Sequence, residues 1–472
     1  MLYPKQRIIR AAFLGWCWFG AHWGLVLSVY GADVKETLEL LASEDAAVAG
    51  RAASTLGSHK TLSQAGIRLL AGRLGDDRNT QLWADFGFLG PPTVGDYAAD
   101  SLVQIGTEAV VKPICEFLAT CDSEEGRIRA IRTLERLGPV AHASVDALAV
   151  CAQDEIANIR GWALQAIACV SANEDETIAL LRRGLKDSDS GVKGVAVRGL
   201  GNLGPRAAIA IPELLPLLDS TEKRGAGWDE VRWLEPLSMD VAMALGKIGP
   251  EAQPALPKLG EMVGSRDFRV RIAAAFAHCR ISRTRTPGLD VLLEELRSDH
   301  DLAVRQATES LGLLEYDQFS EPALEGLTKV LKHPDNLVRC RAARSIATIA
   351  PTDWIDLLRP LAKDPDGIVQ DSVMNVFREH ATEHPELLDI FVECLACATG
   401  NECKGIRGRR IAAVALGKMG AHAKSAIPLL EKCAETDDDQ WVREYAKEAL
   451  QKIAAALAKE RSSEETNVPR QP

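Results

Sequence analysis

His380, Glu383 and His384 have the residue types and spacing of a metal site. They form the pattern H-x-x-E-H, in which two histidines one helical turn apart hold a zinc ion and the glutamate acts as a base. Pro385 follows directly, and proline disfavours the α-helical region for the residue before it, so a helix carrying the pattern would end near His384. No third ligand can be identified from the sequence. The sequence therefore favours a solvent-facing polar turn, and we predict no metal here.

Cys394, Cys397 and Cys403 form a second cluster with the spacing of a metal site or of a loop closed by a disulfide. Ala398 stands where haem attachment would require a histidine. An exported protein can keep disulfides. The sequence favours a disulfide within this trio over free buried thiols, and a metal or redox site is the third alternative.

The segment Gly199–Gly204 matches the dinucleotide-binding pattern G-x-G-x-x-G. That pattern needs a strand before it and a helix after it, so that the helix terminus meets the pyrophosphate. Here the segment closes a predicted helix and runs into Pro205. No G-x-S-x-G elbow for a nucleophilic serine is present. The sequence therefore predicts no catalytic residue, no cofactor-binding residue and no cofactor.

A recurring pattern determines which elements carry these residues. An aspartate precedes Val-Arg or its equivalent, a helix of small residues follows, and a second helix marked by proline comes next, as in 335–350 and 439–454. The Val-like positions are Val48, Val94, Gly126, Ile159, Val192, Leu237, Val270, Val304, Val338, Val369, Gly408 and Val442. Successive positions are 31 to 34 residues apart, except for intervals of 46, 45 and 39. Such a period predicts an all-α array of about twelve helical-hairpin repeats that share one core.

The repeat starts, Asp-x-x-Val-Arg, and the endings in Leu200–Pro205 (LGNLGP) and Ala244–Pro250 (ALGKIGP) resemble the bacterial HEAT-repeat proteins. These include the HEAT-like repeats shared with phycobilin lyase subunits. The resemblance covers nearly all of residues 40–455. It implies a right-handed α-solenoid, an armadillo-like superhelix, over residues 33–458, with a disordered polar tail at 459–472. Such arrays usually serve as binding scaffolds, although a few are enzymes.

Charged residues at the repeat starts predict how neighbouring repeats are joined. The aspartate can cap the first helix, and the basic residue after the Val-like position can pair with an aspartate of its own or the neighbouring repeat. The sequence favours a structural ladder over a ligand-facing basic row. The residues concerned are Arg160, Lys193, Arg271, Arg305, Arg339, Arg409 and Arg443.

The three long intervals place insertions at 76–93, 220–236 and 397–407, each between the second helix of one repeat and the first helix of the next. Equivalent loops of a repeat array collect on one edge, which is often the binding edge. The first two insertions carry the candidate partner-binding aromatics Trp83, Phe86, Phe88, Trp228 and Trp233. The sequence favours aromatic rings that pack back on the array, and anchors for a partner are the alternative. Four repeats separate these insertions, roughly 40 Å at about 10 Å per helix layer, a span that suits a protein partner better than a small molecule.

The first 32 residues are typical of an export signal. Lys5, Arg7 and Arg10 precede a stretch from Ala11 to Ala32 without charge. The stretch is also long enough to span a bilayer, so the alternative to a cleaved signal peptide is a retained membrane anchor. We favour cleavage, which predicts a periplasmic or cell-surface protein.

The net charge argues against general nucleic-acid binding. It is -11 for the whole chain and becomes -14 without the three early cations, whereas phosphate binding needs a basic face. The sequence thus favours a non-catalytic scaffold that binds a protein partner through a concave face and a looped edge. The alternative is lyase-like or chaperone-like activity on a protein that bears a prosthetic group.

Overall fold

The computed structural model describes residues 33–59, 62–80, 92–171, 173–222, 236–284, 287–314, 317–349, 354–396 and 406–466. Within these ranges the secondary structure is helical apart from isolated bridge residues, and Asn79 and Thr93 form an antiparallel bridge. The all-α prediction is therefore confirmed. None of the described helices has the length and apolar character needed to cross a membrane. The predicted export segment lies outside the described residues.

Long first helices alternate with shorter second helices. After α1 (Val34–Leu40), the first helices are α2 (Ala46–Gly57), α4 (Val94–Ile105), α6 (Glu124–Leu137), α8 (Ala157–Val170), α10 (Ser190–Leu203), α12 (Leu237–Ile248), α14 (Phe268–Ser282), α16 (Asp301–Gly312), α18 (Asn336–Ile349), α20 (Gly367–Glu379), α22 (Ile406–Met419) and α24 (Gln440–Thr466). The second helices are α3 (Gln64–Ala71), α5 (Val111–Thr120), α7 (Val145–Cys151), α9 (Glu174–Gly184), α11 (Ile211–Leu214), α13 (Leu256–Met262), α15 (Gly288–Glu295), α17 (Asp317–Val330), α19 (Trp354–Leu358), α21 (Leu388–Ala396) and α23 (Ile427–Thr436). Short 3-10 segments lead into or continue several second helices.

The repeat pattern in the sequence coincides with this alternation. Each of the twelve Val-like positions lies within the first four residues of an even-numbered helix. The period therefore marks the start of each first helix, and the prediction of helical-hairpin repeats in a solenoid is confirmed. Helix α24 continues to Thr466, whereas the sequence places the start of a disordered tail at 459.

Aspartates begin many of the first helices, as predicted. A carboxylate oxygen of Asp189 accepts from the N–H of Val192 at 3.0 Å, and Asp439 accepts from Val442 at 2.9 Å. Each such cap satisfies a free amide at the helix start and contributes about 1 kcal/mol. The caps explain why the repeat pattern starts with aspartate.

Glycines form the turns between the two helices of several repeats. Gly138, Gly204, Gly249 and Gly420 have φ angles of 57°, 60°, 88° and 56°, in the left-handed region. Such angles cost little only for glycine. Proline follows the first three of these glycines, and a 3-10 segment then leads into the second helix. We call these connections the intra-repeat turns.

The chain divides into two compact units, 1–244 and 245–472, at a boundary inside α12. In the first unit, α2, α4, α6, α8 and α10 pack against one another in sequence. In the second unit, α14, α16, α18, α20, α22 and α24 do the same. Alanine, valine, isoleucine and leucine dominate both cores. A Cβ on Gly417 would lie 3.0 Å from the Cα of Ala449, so α22 and α24 approach closely.

Candidate functional site

The connection from the second helix of one repeat to the first helix of the next is here called a junction. Each insertion interrupts one junction. The first lies between α3 and α4, the second follows the 3-10 segment Leu215–Asp219 and precedes α12, and the third lies between α21 and α22. The predicted position of all three insertions is therefore confirmed by the helix bounds.

Several junctions contain two aspartates with different tasks. At residues 187–189, Asp189 caps α10, while Asp187 accepts from Nε and Nη2 of Arg160, both at 2.7 Å. The N–H of Asp189 also donates to Asp187 at 2.8 Å. One carboxylate thus starts the helix and the other receives an arginine from the preceding repeat.

Each arginine of this kind joins two consecutive junctions. Arg339 donates to both carboxylate oxygens of Asp364 at 2.8 and 2.9 Å. Its Nη1 donates to the carbonyls of His333 and Pro334, in the junction before its own helix, at 2.8 and 3.0 Å. The side chains of Arg339 and Asp364 are only 11% and 8% exposed. This pair therefore lies inside the packed junction rather than on its surface.

Four of the remaining ladder members also pair with a carboxylate, and Arg443 bonds a backbone carbonyl. Nε of Arg305 donates to Asp335 at 3.0 Å, and this hydrogen bond lowers the pKa of the Asp335 carboxyl. The other pairs are Lys193 with Glu222, Arg271 with Glu295 and Arg409 with Asp437, while Arg443 donates to the Asp437 carbonyl. The structural-ladder prediction is confirmed for these residues.

Sequence reasoning missed three arginines that belong to the ladder. Arg127, directly after the Val-like position Gly126, pairs with Asp154. In the first repeat Ala49 stands where the arginine would be, and Arg78 takes over its contacts from the first insertion. Arg78 bonds the Asp76 carboxylate at 2.7 and 2.8 Å and the carbonyls of Ser43 and Glu44. The lack of an arginine at position 49 could have indicated, from the sequence, that another residue makes these contacts.

Arg129 is the third missed arginine, and it occupies the equivalent place in the second repeat. Its guanidinium donates to Asp96 at 2.9 Å and to Asp77 at 3.0 Å. A Cβ on Gly95 would lie 2.7 Å from its Nη1, so the glycine after Val94 makes room for it. A side chain from the next first helix, rather than from position 95, completes this junction.

The base of the first insertion is closed by backbone pairing. The N–H of Thr80 donates to the carbonyl of Pro92 at 3.1 Å, and Val94 donates to Arg78 at 3.1 Å. The Thr80 hydroxyl adds a bond of 2.7 Å to Pro92. Together with Arg78, these bonds hold both ends of the insertion against the ladder.

Exposed apolar side chains also occur at the junctions. Ile156, Leu337, Ile368 and Trp441 are 37%, 40%, 57% and 53% exposed. Ile156 caps α8, and the other three are the second residues of α18, α20 and α24. Large exposed apolar residues flanked by polar groups are typical contact points for partners.

The residues proposed from the sequence as partner anchors lie outside the described residues, so their role stays a prediction. They are Trp83, Phe86, Phe88, Trp228 and Trp233. The same holds for Cys397 and Cys403 of the candidate disulfide. Cys394 is described, and it lies half-buried in α21.

The H-x-x-E-H residues lie in an intra-repeat turn. Helix α20 ends at Glu379 rather than near His384, because the chain leaves the helical conformation at His380, which is its C-cap. Potential ligand atoms of His380, Glu383 and His384 all lie within 4.8 Å of one another. The structure therefore brings together three groups that the sequence analysis interpreted as a polar turn.

Two family models match the chain. Residues 145–226 and 324–404 match the model of HEAT repeats. Residues 408–436 match the model of the PBS lyase HEAT-like repeat. The described parts of each matched segment lie within the helical repeats.

Solved structures similar to this chain include a structure of Kap95p binding to RanGDP, at 12% identity over 90% of this chain and 62% of that one, with a TM-score of 0.41. Importin beta matches at 12% identity over 93% of this chain and 65% of that one, with a TM-score of 0.42. An engineered protein matches at 19% identity over 90% of this chain and 99% of that one, with a TM-score of 0.28. This chain thus spans less than two thirds of the length of the first two. No curated protein matches the sequence.

Proposed function

This chain is a HEAT-repeat protein, and from that premise we propose that it is an exported, non-catalytic scaffold that binds a protein partner at its junctions. The observation that carries the proposal is that insertions and exposed apolar side chains occur together at the junctions. All three insertions fall at the junctions, as do four of the eight large exposed apolar side chains among the described residues. A stack of helical hairpins needs neither feature for its own core.

The ladder supports this proposal because it holds the junctions in one conformation. Arg78 and the Thr80–Pro92 bonds brace the base of the first insertion, and Arg339 ties two consecutive junctions together. A surface that is already ordered loses less conformational entropy when a partner binds. Rigid loop bases are therefore suited to the presentation of aromatic anchors.

The negative charge of the chain indicates which kind of partner segment would bind at the junctions. The net charge of the chain is -11, and carboxylates such as Asp77, Asp299 and Asp301 line open grooves at two of the junctions. Opposite charge speeds association and selects among partners. The expected partner therefore presents a basic segment with apolar side chains among its charges.

The test compares partner capture by matched surface variants. The junction variant carries Leu337→Ser and Ile368→Ser, whose side chains are 40% and 57% exposed. The control carries Leu313→Ser and Ile209→Ser, which are 38% and 61% exposed and lie away from the junctions. All chains must first show the same helical circular dichroism. We expect the wild type and the control to recover the same defined protein from the native envelope fraction, and the junction variant to recover at least tenfold less.

Equal recovery by both variants would contradict binding at these junctions. A third chain, in which Trp83, Trp228 and Trp233 are changed to alanine, then tests the insertions separately. The mass of the recovered native chain tests export: loss of about the first 31 residues supports a cleaved signal, an intact chain in the membrane fraction supports the anchor, and an intact chain in the cytosol contradicts both.

The enzymatic alternative stays a prediction. The PBS lyase HEAT-like repeat model matches residues 408–436 only, which correspond to one helical hairpin of the array. A copurifying prosthetic group in the capture experiment would favour this alternative over the scaffold.

A further inference from the structure

The intra-repeat turn at residues 380–385 differs in composition from its counterparts. Five other turns of the described residues reverse the chain with a glycine at positive φ, whereas this segment reads His-Ala-Thr-Glu-His-Pro. It continues as one extra turn of hydrogen-bonded backbone: the N–H groups of Glu383 and His384 donate to the carbonyl of His380 at 3.1 and 3.2 Å. Residues three and four apart on such a turn face the same side. The side chains of His380, Glu383 and His384 therefore converge.

From this convergence we propose that His380, Glu383 and His384 bind a divalent transition-metal ion of the zinc type. Their potential ligand atoms lie within 4.8 Å of one another, and Nδ1 of His380 is 3.9 Å from Oε2 of Glu383. A tetrahedral zinc ion, with bonds of about 2.0–2.2 Å, holds its ligand atoms about 3.4 Å apart. The three groups need to close by little more than 1 Å. Glu383, whose side chain is 73% exposed, has the rotational freedom to do so.

A fourth residue prepares His384 for coordination. Nδ1 of His384 lies 2.8 Å from Oε1 of Glu386. When that nitrogen carries the proton and donates to the carboxylate, the lone pair of Nε2 is left for a metal. Metal-binding histidines commonly have such a carboxylate partner, which orients the ring and raises its basicity. Glu386 is thus a positioning residue, which orients the His384 ring without binding the metal itself.

The buried ring of Trp354 packs against both imidazoles. Its side chain is buried, at 4% exposure, and its ring lies 5.0 Å from that of His380 and 5.4 Å from that of His384. Trp354 begins α19, the second helix of the preceding repeat. Packing against a fixed ring restricts the two histidines, so less entropy is lost when an ion binds.

The ligand set indicates the class of ion. Two imidazoles and one carboxylate suit zinc, nickel, cobalt or copper, whereas calcium and magnesium require mainly oxygen ligands. Three protein ligands leave one tetrahedral position for water. Because the two histidines are about one third exposed, that position faces solvent. The site is independent of the proposed partner-binding junctions.

The first experiment is zinc titration of the metal-stripped, untagged full chain by calorimetry. We expect one zinc ion per chain, with binding abolished in His380→Ala/His384→Ala and weakened at least tenfold in Glu383→Gln. Glu386→Gln is expected to weaken binding about 10- to 100-fold, the range seen for partners of metal-bound histidines. These side chains are exposed or half-exposed, and circular dichroism verifies that each variant folds.

Two further measurements locate the ion. Cobalt or copper at the site should quench part of the tryptophan fluorescence, and Trp354→Phe should remove that part while keeping zinc binding. The cysteine control Cys394→Ser should bind zinc like the wild type. The proposal is overturned if zinc fails to bind, if the His380→Ala/His384→Ala chain binds it equally well, or if Glu386→Gln has no effect on a weak affinity, which indicates adventitious surface histidines.

Discussion

Junctions and intra-repeat turns both connect helices in this protein, yet they use different chemistry. At a junction, an arginine and a carboxylate 24 to 30 positions apart form a pair, as in Arg271 with Glu295 and Arg305 with Asp335. At five intra-repeat turns of the described residues, a glycine such as Gly249 reverses the chain locally. The first arrangement joins neighbouring repeats, and the second acts within one repeat. At the first insertion, Arg78 and the Thr80–Pro92 bonds hold both ends of the loop, so a junction of this kind can accept an insertion.

The largest effect is expected where a buried guanidinium bonds both oxygens of a buried carboxylate, as Arg339 does with Asp364. Arg339→Ala should lower the free energy of unfolding by about 3–5 kcal/mol, because it leaves Asp364 as a buried charge without its arginine. The matched control is Arg341→Ala on the same helix, whose pair with Glu309 has side chains 42% and 58% exposed and contributes about 1 kcal/mol or less. Urea unfolding followed by circular dichroism measures both. Similar losses in the two variants would show that burial does not distinguish the ladder.

A smaller loss is expected when a turn is changed. Gly249 has φ 88° and ψ -145°, so Gly249→Ala should destabilise the protein by about 1–3 kcal/mol through backbone strain. Nothing lies close enough to clash, since the nearest atom to a Cβ there is 3.9 Å away. Gly260→Ala, inside α13 with no atom within 4 Å of its Cβ, should instead stabilise by up to about 1 kcal/mol. The two urea midpoints should therefore move in opposite directions, and a shift in the same direction would contradict the strain argument.

The smallest expected effect is a difference between junctions and intra-repeat turns in how stability depends on pH. The hydrogen bond from Arg305 lowers the pKa of Asp335 below its usual 3.8 in the folded protein. The stabilisation from this carboxylate is fully present above the unfolded pKa and is lost as pH falls through the folded pKa. This contribution should thus be constant from pH 7 to about 5 and decline below about 4.

Asp335→Asn should make that decline shallower, because asparagine can still cap α18 but has no charge to lose. Gly249→Ala should keep the slope of the wild type. Urea midpoints between pH 3 and 7 provide the measurement. If the urea midpoint of Asp335→Asn declined with pH as steeply as that of the wild type, Asp335 would not contribute to the loss of stability in acid.

Several local features could be predicted from the sequence because they depend on neighbours only a few residues away. The aspartate caps and the positions of the first helices follow from hydrogen bonds between residues two or three apart, as between Asp189 and Val192. The ladder arginines were recognised because they repeat with the same period. The position of the insertions follows from that period as well.

Other features required the stacked repeats. Arg78 performs the task missing at Ala49 only because the base of the first insertion folds back on the preceding junction. The sequence also could not place the end of α20, since Pro385 sets a limit but His380 ends the helix earlier. Both outcomes depend on packing between segments that local patterns do not connect.

The sequence by itself determined the repeat, its period, its caps and seven basic residues of the ladder, since backbone hydrogen bonding and helical periodicity are local. Only the tertiary structure decided which carboxylate each arginine takes. At residues 364–366, Asp364 rather than Asp366 receives Arg339, because the offset between stacked repeats brings that oxygen within reach. The same stacking places Trp354 beneath His380 and His384, so that a turn with a recognisable pattern acquires the geometry of a site.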